Sequence, residues 1–198
     1  MKTNIHILLI ITFCLLINKS FSQEKVTMLV GSQYYPSKDS TNYMCLPYAS
    51  VNIPGEWRRT SFNQIANQQF FKNNENTIIS LAFSSNNRYE FNQDGAKEDV
   101  DFAYAYYEWD TQFHIEENNY KRLFLECDTL NNYVIYELYK DNSDTIYFRV
   151  GTYHHKIVYI YTINKTNKLT ETQCINLLKG ITLYTKQKRK NKKSKNND

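Results

Sequence analysis

The sequence predicts an α+β domain in which two helices pack against one antiparallel β-sheet. The second half of the chain contains four successive segments of alternating, or β-branched and aromatic, residues, each followed by turn-forming residues. One segment with helical periodicity precedes this meander and another follows it. Strands grouped in sequence, with helices before and after them, are typical of an α+β fold rather than a parallel α/β fold.

The start of the chain, residues 1–22, has the pattern of a secretory signal peptide. Lys2 supplies a positive charge, residues 5–17 form an apolar run, and small residues occupy the end of the segment. The apolar run is shorter than the roughly 20 residues that a spanning helix needs. We therefore expect cleavage before Gln23 and a secreted or periplasmic mature protein without a transmembrane segment.

The mature chain divides into an N-terminal segment (residues 23–42), the α+β domain (43–185) and a basic tail (186–198). The tail carries seven Lys and Arg and no apolar residue, so we expect it to be disordered. The preceding body, residues 23–185, carries 15 Lys plus Arg against 19 Asp plus Glu. The tail could attach to an anionic surface or simply solubilise the chain, and export argues against nucleic acid as its partner.

The first half of the chain predicts short extended segments joined by turns: strands at 26–30, 69–71 and 77–83, edge structure at 43–53, and a loop at 31–42. Pro47 interrupts the edge segment, because proline cannot donate to a sheet ladder. Gly55 occupies the third position of a type II turn, where φ is positive. The strand at 77–83 should be central, because it is β-branched and apolar.

Residues 98–114 predict an amphipathic helix. Acidic residues crowd its N-terminus, where the helix dipole favours negative charge. Its apolar face consists of four aromatic residues with helical spacing, Phe102, Tyr106, Trp109 and Phe113. We expect this stripe to cover much of one sheet face.

The rest of the domain predicts a four-strand meander, with strands at 121–127, 133–139, 145–150 and 156–163. Thr170 and Gln173 form a capping-box pattern that opens a second helix to about Lys179. Gly180 stands where a helix C-cap is expected.

This order of elements resembles the PsbP-like and DcrB-like α/β sandwich superfamily. The resemblance depends on residues 53–57 (Ile-Pro-Gly-Glu-Trp), 132–135 (Asn-Tyr-Val-Ile), the strand at 156–163 and the closing helix before 181–183 (Ile-Thr-Leu). It covers about residues 43–184. The resemblance implies the fold of an accessory, binding or envelope protein and carries over no catalytic residues.

Three cysteines remain in the mature chain, Cys45, Cys127 and Cys174. Cys127 shares the predicted strand face of Leu123 and Leu125, and Cys174 belongs to an apolar helical stripe, so we expect both to point into the core. They could be small buried hydrophobes or a disulfide linking a helix to the sheet. An odd number leaves at least one free thiol.

Residues 90–101 partly match a calcium-binding loop. Gly95 is at the sixth position, and oxygen-bearing side chains are available at five ligand positions: Glu90, Asn92, Asp94, Glu98 and Asp101. The match departs from the pattern because the loop starts with Glu, ends with the shorter Asp, and carries Lys97 at a usually apolar position. A turn that leads into an acidic helix N-terminus is the alternative, in which case no cofactor is needed.

The chain contains 17 tyrosines, and five of them lie on predicted strands: Tyr133, Tyr139, Tyr147, Tyr159 and Tyr161. They could form an exposed aromatic sheet face that binds a protein or a sugar. Packing on both sides of the sheet would instead bury most of them.

No Gly-x-Ser-x-Gly motif and no phosphate-cradling glycine loop occurs in the sequence. The low Gly and Pro content resembles that of a low-GC bacterium. Our leading hypothesis is therefore a non-catalytic binding or accessory protein exported to the bacterial cell envelope, whose partner is an envelope protein or polysaccharide. An envelope hydrolase that uses carboxylates from Asp94 to Asp110 is one alternative, and a small calcium-dependent binding module is another.

Overall fold

The computed structural model describes residues 28–141, 144–166 and 168–183. The predicted signal peptide and basic tail lie outside these ranges. The described residues form eleven strands and two helices: β1 Leu29–Tyr35, β2 Ser40–Leu46, β3 Ala49–Pro54, β4 Arg58–Asn63, β5 Gln68–Lys72, β6 Ile78–Ser85, α1 Asp99–Asn118, β7 Lys121–Asp128, β8 Tyr133–Tyr139, β9 Thr145–Tyr153, β10 Ile157–Asn164, α2 Glu171–Gly180 and β11 Thr182–Leu183.

The strands form two antiparallel sheets, so the prediction of a single sheet is wrong. The smaller sheet has four strands in the order β1-β2-β3-β11. The larger sheet has seven, in the order β4-β5-β6-β10-β9-β8-β7. The predicted meander is confirmed as its consecutive strands β7 to β10, each paired antiparallel with the next.

The smaller sheet combines the predicted edge structure at 43–53 with residues 31–42, in which the sequence predicts a loop and which form most of β1 and the start of β2. Asp39 has positive φ and closes a turn between β1 and β2, whose strands pair from Leu29↔Leu46 to Tyr35↔Ser40. Strand β1 shows no buried alternation because it is a largely exposed edge strand, so its polar sequence resembles a loop. Strand β4 is likewise an exposed edge and is absent from the predicted elements.

One face of the seven-stranded sheet packs against the smaller sheet and α2. The core between them contains aliphatic and aromatic residues from both sheets together with residues of α2; its members include Tyr43, Val51, Ile53, Phe71, Leu81, Ile135, Tyr147, Tyr161 and Leu178. Each large side chain of this kind contributes about 1.5–3 kcal/mol when it is removed from water. This face is therefore the closed side of the molecule.

The opposite face of the larger sheet packs against α1, which lies over β7, β8 and β9. Phe102, Ala103 and Tyr107 of α1 are buried against Val134, Tyr136, Leu138 and Val150, which point from β8 and β9. The strands β10, β6 and β5 continue the sheet beyond the helix. Helix α1 is thus narrower than the sheet that it covers.

Both predicted helices are present. Helix α1 runs four residues beyond the predicted end at His114, to Asn118. Helix α2 opens with the predicted capping box of Thr170 and Gln173. Gly180 is the last residue of α2, and its φ is not positive, so it does not form a left-handed cap. A Cβ at this position would lie 2.9 Å from Cγ of Pro54, so close packing explains the glycine.

All three described cysteines are free thiols. Cys45 and Cys174 are buried, and burial raises the pKa of Cys174 to about 11, so this thiol is protonated at neutral pH. Cys127 is exposed, which contradicts the prediction that it points into the core. A register shift between Phe124 and Glu126 interrupts the alternation of β7 and pairs Cys127 with Val134.

Candidate functional site

A groove of about 740 Å³ lies between α1 and the part of the seven-stranded sheet that extends past it. Its floor comes from β5, β6, β9 and β10, and includes Phe70, Ala82, Phe148 and Ile160. Its size and its mixture of apolar, aromatic and a few polar side chains are typical of a small-molecule site.

One wall of the groove is the C-terminal half of the aromatic stripe of α1. Phe102 and Tyr106 are buried at the start of the stripe. Trp109 is partly exposed and the side chain of Phe113 is 55 % exposed, and both line the groove. The stripe therefore begins in the core and ends at an open cleft, because the helix passes beyond the residues that cover it.

The second wall is the segment between β6 and α1. Tyr89 packs edge-on against Tyr106 at 5.3 Å and against Trp109 at 5.9 Å between ring centroids. The Tyr89 hydroxyl lies 2.8 Å from Oγ of Ser84, which anchors this ring to the sheet. Glu90 accepts a hydrogen bond of 2.5 Å from the Trp109 indole N–H. These contacts hold the aromatic lining in place without filling the groove.

Asp110 is the buried carboxylate of the groove wall, and its side chain is only 12 % exposed. Tyr136 of β8 donates to Oδ2 at 2.7 Å, and Tyr106 donates to Oδ1 at 3.3 Å. Nε2 of His114, one turn further along α1, lies 3.9 Å from Oδ1. The carboxylate is thus fixed by two neutral phenols, with one imidazole nearby.

Burial raises the pKa of Asp110, and the hydrogen bond from Tyr136 opposes this shift most strongly. Burial also raises the pKa values of Tyr106 and Tyr136 well above 10, with the negative charge of Asp110 as the next cause. Both phenols therefore remain protonated donors at neutral pH. No lysine or arginine of the described residues forms an ion pair with Asp110.

The floor ends in a polar strip. Oγ of Ser80 lies 2.5 Å from Oγ1 of Thr162, and Gln68 donates to the same Ser80 oxygen at 2.6 Å. Gln68, Thr162 and Asn164 line this end of the groove. The lip carries Arg88, whose guanidinium donates to the backbone carbonyl of Ile65.

The predicted tyrosine face lies elsewhere, and the structure favours the alternative of two-sided packing. Four of the five residues, Tyr133, Tyr147, Tyr159 and Tyr161, are buried beneath the smaller sheet and α2. Tyr139 alone is partly exposed. The expectation of an open aromatic surface is wrong for those four because the N-terminal strands form a second sheet over them.

The predicted calcium loop does not form. Among the described residues no three His, Cys, Asp or Glu side chains are grouped where they could hold a metal ion. Asn92 is buried and bonds to the backbone at Asn86 and Lys97, while Asp94 accepts from the backbone of Ala96. Glu90 lies in a short 3-10 turn and pairs with Trp109, and Glu98 is the residue before α1, so neither they nor Asp101 converge with Asp94.

The carboxylates that the hydrolase alternative needs are dispersed. Asp110 is the carboxylate of the span 94–110 that lines the groove. Glu108 pairs with Arg122 at 2.8 Å on the other side of α1, and Asp99 binds Thr152 and His155 at the end of the sheet. Within the described residues this span therefore supplies no second acid for a general acid–base pair.

The sequence contains a usable signal for the site that the predictions missed. Tyr106, Asp110 and His114 recur at i, i+4 and i+8, so they share a helix face beside the aromatic stripe. Asp110 and His114 thus form an ionisable pair next to the apolar stripe, a pattern that indicates a half-buried site. The partner Tyr136 is 26 residues away and becomes visible only in the folded sheet.

The closed face contains a second polar cluster, around Arg149. Its guanidinium lies 4.2 Å from the ring centroid of Tyr133, and also over Tyr159 and Tyr161. Nη1 donates to the carbonyls of Leu178 and Ile181 at 3.0 Å, at the C-terminal end of α2. Arg149 therefore balances the negative end of a helix dipole and has a structural partner.

No family model and no curated protein matches the chain. The solution structure of cyanobacterial PsbP (CyanoP) from Synechocystis sp. PCC 6803 is similar in fold, with 11% sequence identity and a TM-score of 0.43 over 84% of this chain and 99% of that one. None of the described helices is long and apolar enough to cross a membrane.

Proposed function

We propose that the protein is a non-catalytic binding protein that acts outside the cytoplasm and holds a small organic molecule in the groove beside α1. The observation that carries this proposal is the combination of an aromatic cleft of about 740 Å³ with one buried carboxylate in its wall. Clefts of this size with a few convergent polar groups are the usual form of a ligand site. The signal-peptide pattern supports export.

The lining supports binding better than catalysis. Asp110 is oriented by Tyr106 and Tyr136, and both phenols are themselves held by burial. A hydrolase of the two-carboxylate type needs a second free acid across the cleft. Residues 94–110 supply none there, and Glu90, the other carboxylate that lines the groove, accepts the hydrogen bond of the Trp109 indole. Binding needs only the shape, the aromatic surface and one fixed polar group.

The proposal is tested with a neutral arene, 2-(1-naphthyl)ethanol, and the mature chain from Gln23 to Asp198. We expect the arene to perturb the NMR signal of the Trp109 indole N–H and not that of Trp57, which is buried on the closed face. Fluorescence of the Trp57→Phe and Trp109→Phe variants checks the assignment, because only the Trp109→Phe variant should lose the response.

Two aromatic residues of α1 provide a matched pair of variants. Phe113 and Tyr104 are 55 % and 49 % exposed, but only Phe113 lines the groove. Phe113→Ala should weaken arene binding about three- to tenfold, because one apolar contact is worth roughly 1 kcal/mol, and Tyr104→Ala should leave it unchanged. Equal effects of the two variants, or no perturbation near Trp109, would contradict the groove as the binding site.

A further inference from the structure

The charge of Asp110 is incompletely matched within the fold. A carboxylate offers about four acceptor positions, and two phenol donors occupy Asp110 at 2.7 and 3.3 Å. Phenols are neutral, and Nε2 of His114 at 3.9 Å is beyond hydrogen-bond distance. A buried carboxylate normally has a cationic partner or a denser set of donors. The wall of the groove thus presents negative charge that the described residues do not neutralise.

The surroundings of Asp110 suit a cation with an apolar body. The rings of Tyr106 and Trp109 lie 5.7 Å apart, and their faces attract positive charge. Glu90 adds a second carboxylate at the rim, held by the Trp109 indole. The floor below them is formed by Phe148 and Ile160, which can bury hydrocarbon.

The positive side chains of the groove are placed away from this point. Arg88 donates to the Ile65 carbonyl at the lip, so its charge is directed along the loop rather than to Asp110. His114 is the cationic group nearest to Asp110 among the described ion pairs, and it bears charge only when protonated. An ammonium group could therefore approach Asp110 without facing a lysine or arginine that is already paired with it.

From this geometry we infer that the ligand of the groove is an organic amine, whose ammonium group pairs with Asp110 while its apolar body lies on Phe148 and Ile160. This inference rests on the proposed function, since it names the ligand class of the same groove. A charge-assisted hydrogen bond to a carboxylate is about twice as strong as a neutral one. The amine should therefore be selected over an alcohol of the same shape.

The experiment compares three probes that share one ring system: 2-(1-naphthyl)ethylamine, 2-(1-naphthyl)ethanol and 3-(1-naphthyl)propionate. Isothermal titration at pH 7 should give an amine affinity at least about tenfold above that of the alcohol, and weaker binding of the carboxylate. In Asp110→Asn this preference should disappear. It should persist in Glu108→Gln, which alters a carboxylate of the same helix outside the groove.

The pH dependence of the wild-type chain provides a second readout that needs no variant. The titratable groups that face Asp110 are Tyr106 and His114 on α1, Tyr136 on β8 and Tyr89 of the preceding segment. The phenols stay neutral below pH 9, so the loss of charge to follow as the pH falls is that of Asp110, whose pKa burial raises. Protonation of Asp110 weakens amine binding, whereas alcohol binding should change by less than about twofold.

The outcomes separate the ligand class from the binding function. If the alcohol binds as tightly as the amine, if the carboxylate binds best, or if Asp110→Asn keeps the preference for the amine, the inference is overturned while the groove remains a binding site. If none of the three arenes binds, the proposed function falls as well. A chain that ends at Thr185 should bind all three probes like the full mature chain; a changed amine preference would show that the tail, not Asp110 alone, sets it.

Discussion

Two charged side chains lie among tyrosines on opposite faces of the seven-stranded sheet, and they differ in how completely their hydrogen-bonding capacity is used within the fold. Arg149, on the closed face, lies over the ring of Tyr133 and donates to the carbonyls that end α2. Asp110, on the open face, accepts from Tyr136 and Tyr106 and borders a groove. The first is part of the architecture. Asp110 is fixed in position by two phenols, but its carboxylate oxygens can accept further hydrogen bonds from a ligand.

The largest effect should follow from the loss of Arg149. Arg149→Ala removes the donors at the end of α2 and the cation that packs on Tyr133, so we expect the free energy of unfolding to fall by about 2–4 kcal/mol. Urea denaturation measures it. Arg58→Ala, which breaks an exposed pair with Glu56, should cost less than about 1 kcal/mol. A comparable small loss for Arg149 would contradict its structural role.

Gly151 tests how tightly the Arg149 face is packed. A Cβ at this position would clash with the Tyr159 hydroxyl and lie 2.5 Å from the Asn132 carbonyl oxygen. Gly151→Ala should therefore destabilise the fold by about 1–3 kcal/mol, measured by thermal or urea unfolding. Adding Tyr159→Phe should restore only part of the loss, because the Asn132 oxygen and Cζ of the ring, each 2.5 Å from the added Cβ, remain. If the double variant regained all of the lost stability, the Tyr159 hydroxyl alone would be the group that excludes a Cβ at residue 151.

The open face should respond less. Tyr136→Phe removes the 2.7 Å hydrogen bond to Asp110 but keeps the stacking on Phe148, at 4.7 Å between ring centroids. We expect a loss of about 1 kcal/mol in the free energy of unfolding. Tyr139→Phe in the same strand is the control, since the Tyr139 hydroxyl makes no hydrogen bond within the described residues and its loss should be near zero. If the two variants lost equal free energy of unfolding, the hydrogen bond to Asp110 would not explain the effect of Tyr136→Phe.

The smallest effect concerns the charge of Asp110 itself. Burial raises its pKa above the ordinary value of about 4, so between that pH and the raised value the folded chain binds more protons than the unfolded chain. Its contribution to stability is full below pH 4 and is lost as the pH rises through the folded pKa. The stability of wild type relative to Asp110→Asn should therefore decrease from pH 4 towards neutrality in urea titrations. An increase would mean that a cation already neutralises Asp110.

The helices and the meander could be predicted because their signals are local. The stripe from Phe102 to Phe113 and the capping box at Thr170 specify helices without reference to the rest of the chain. The sequences of β7 to β10 are alternating, or β-branched and aromatic, and turn-forming residues separate them. Alternation does not say what covers each face, however. It predicts strands for Tyr147 and Tyr161 but not that both side chains are buried.

The second sheet and the site depend on contacts between distant parts of the chain. Strands β1 and β4 are polar edges, whose hydrogen bonds to β2 and β5 define them more than their own sequence. The groove exists because α1 covers β7 to β9 and leaves the rest of the sheet open. The pairing of Asp110 with Tyr136 likewise needs the packing of α1 on β8, which no spacing within α1 reveals.

The most direct test of the contrast between the two faces is the pKa of Asp110, measured from its carboxyl ¹³C signal in the free protein and with saturating 2-(1-naphthyl)ethylamine. In the free protein the pKa should lie above about 4, because the carboxylate is buried and has no lysine or arginine partner among the described residues. With the amine bound it should fall, since the ammonium favours the charged form. A pKa at or below 4 in the free protein, or one that the bound amine leaves unchanged, would contradict the claim that the Asp110 carboxylate pairs with the ammonium group of a ligand.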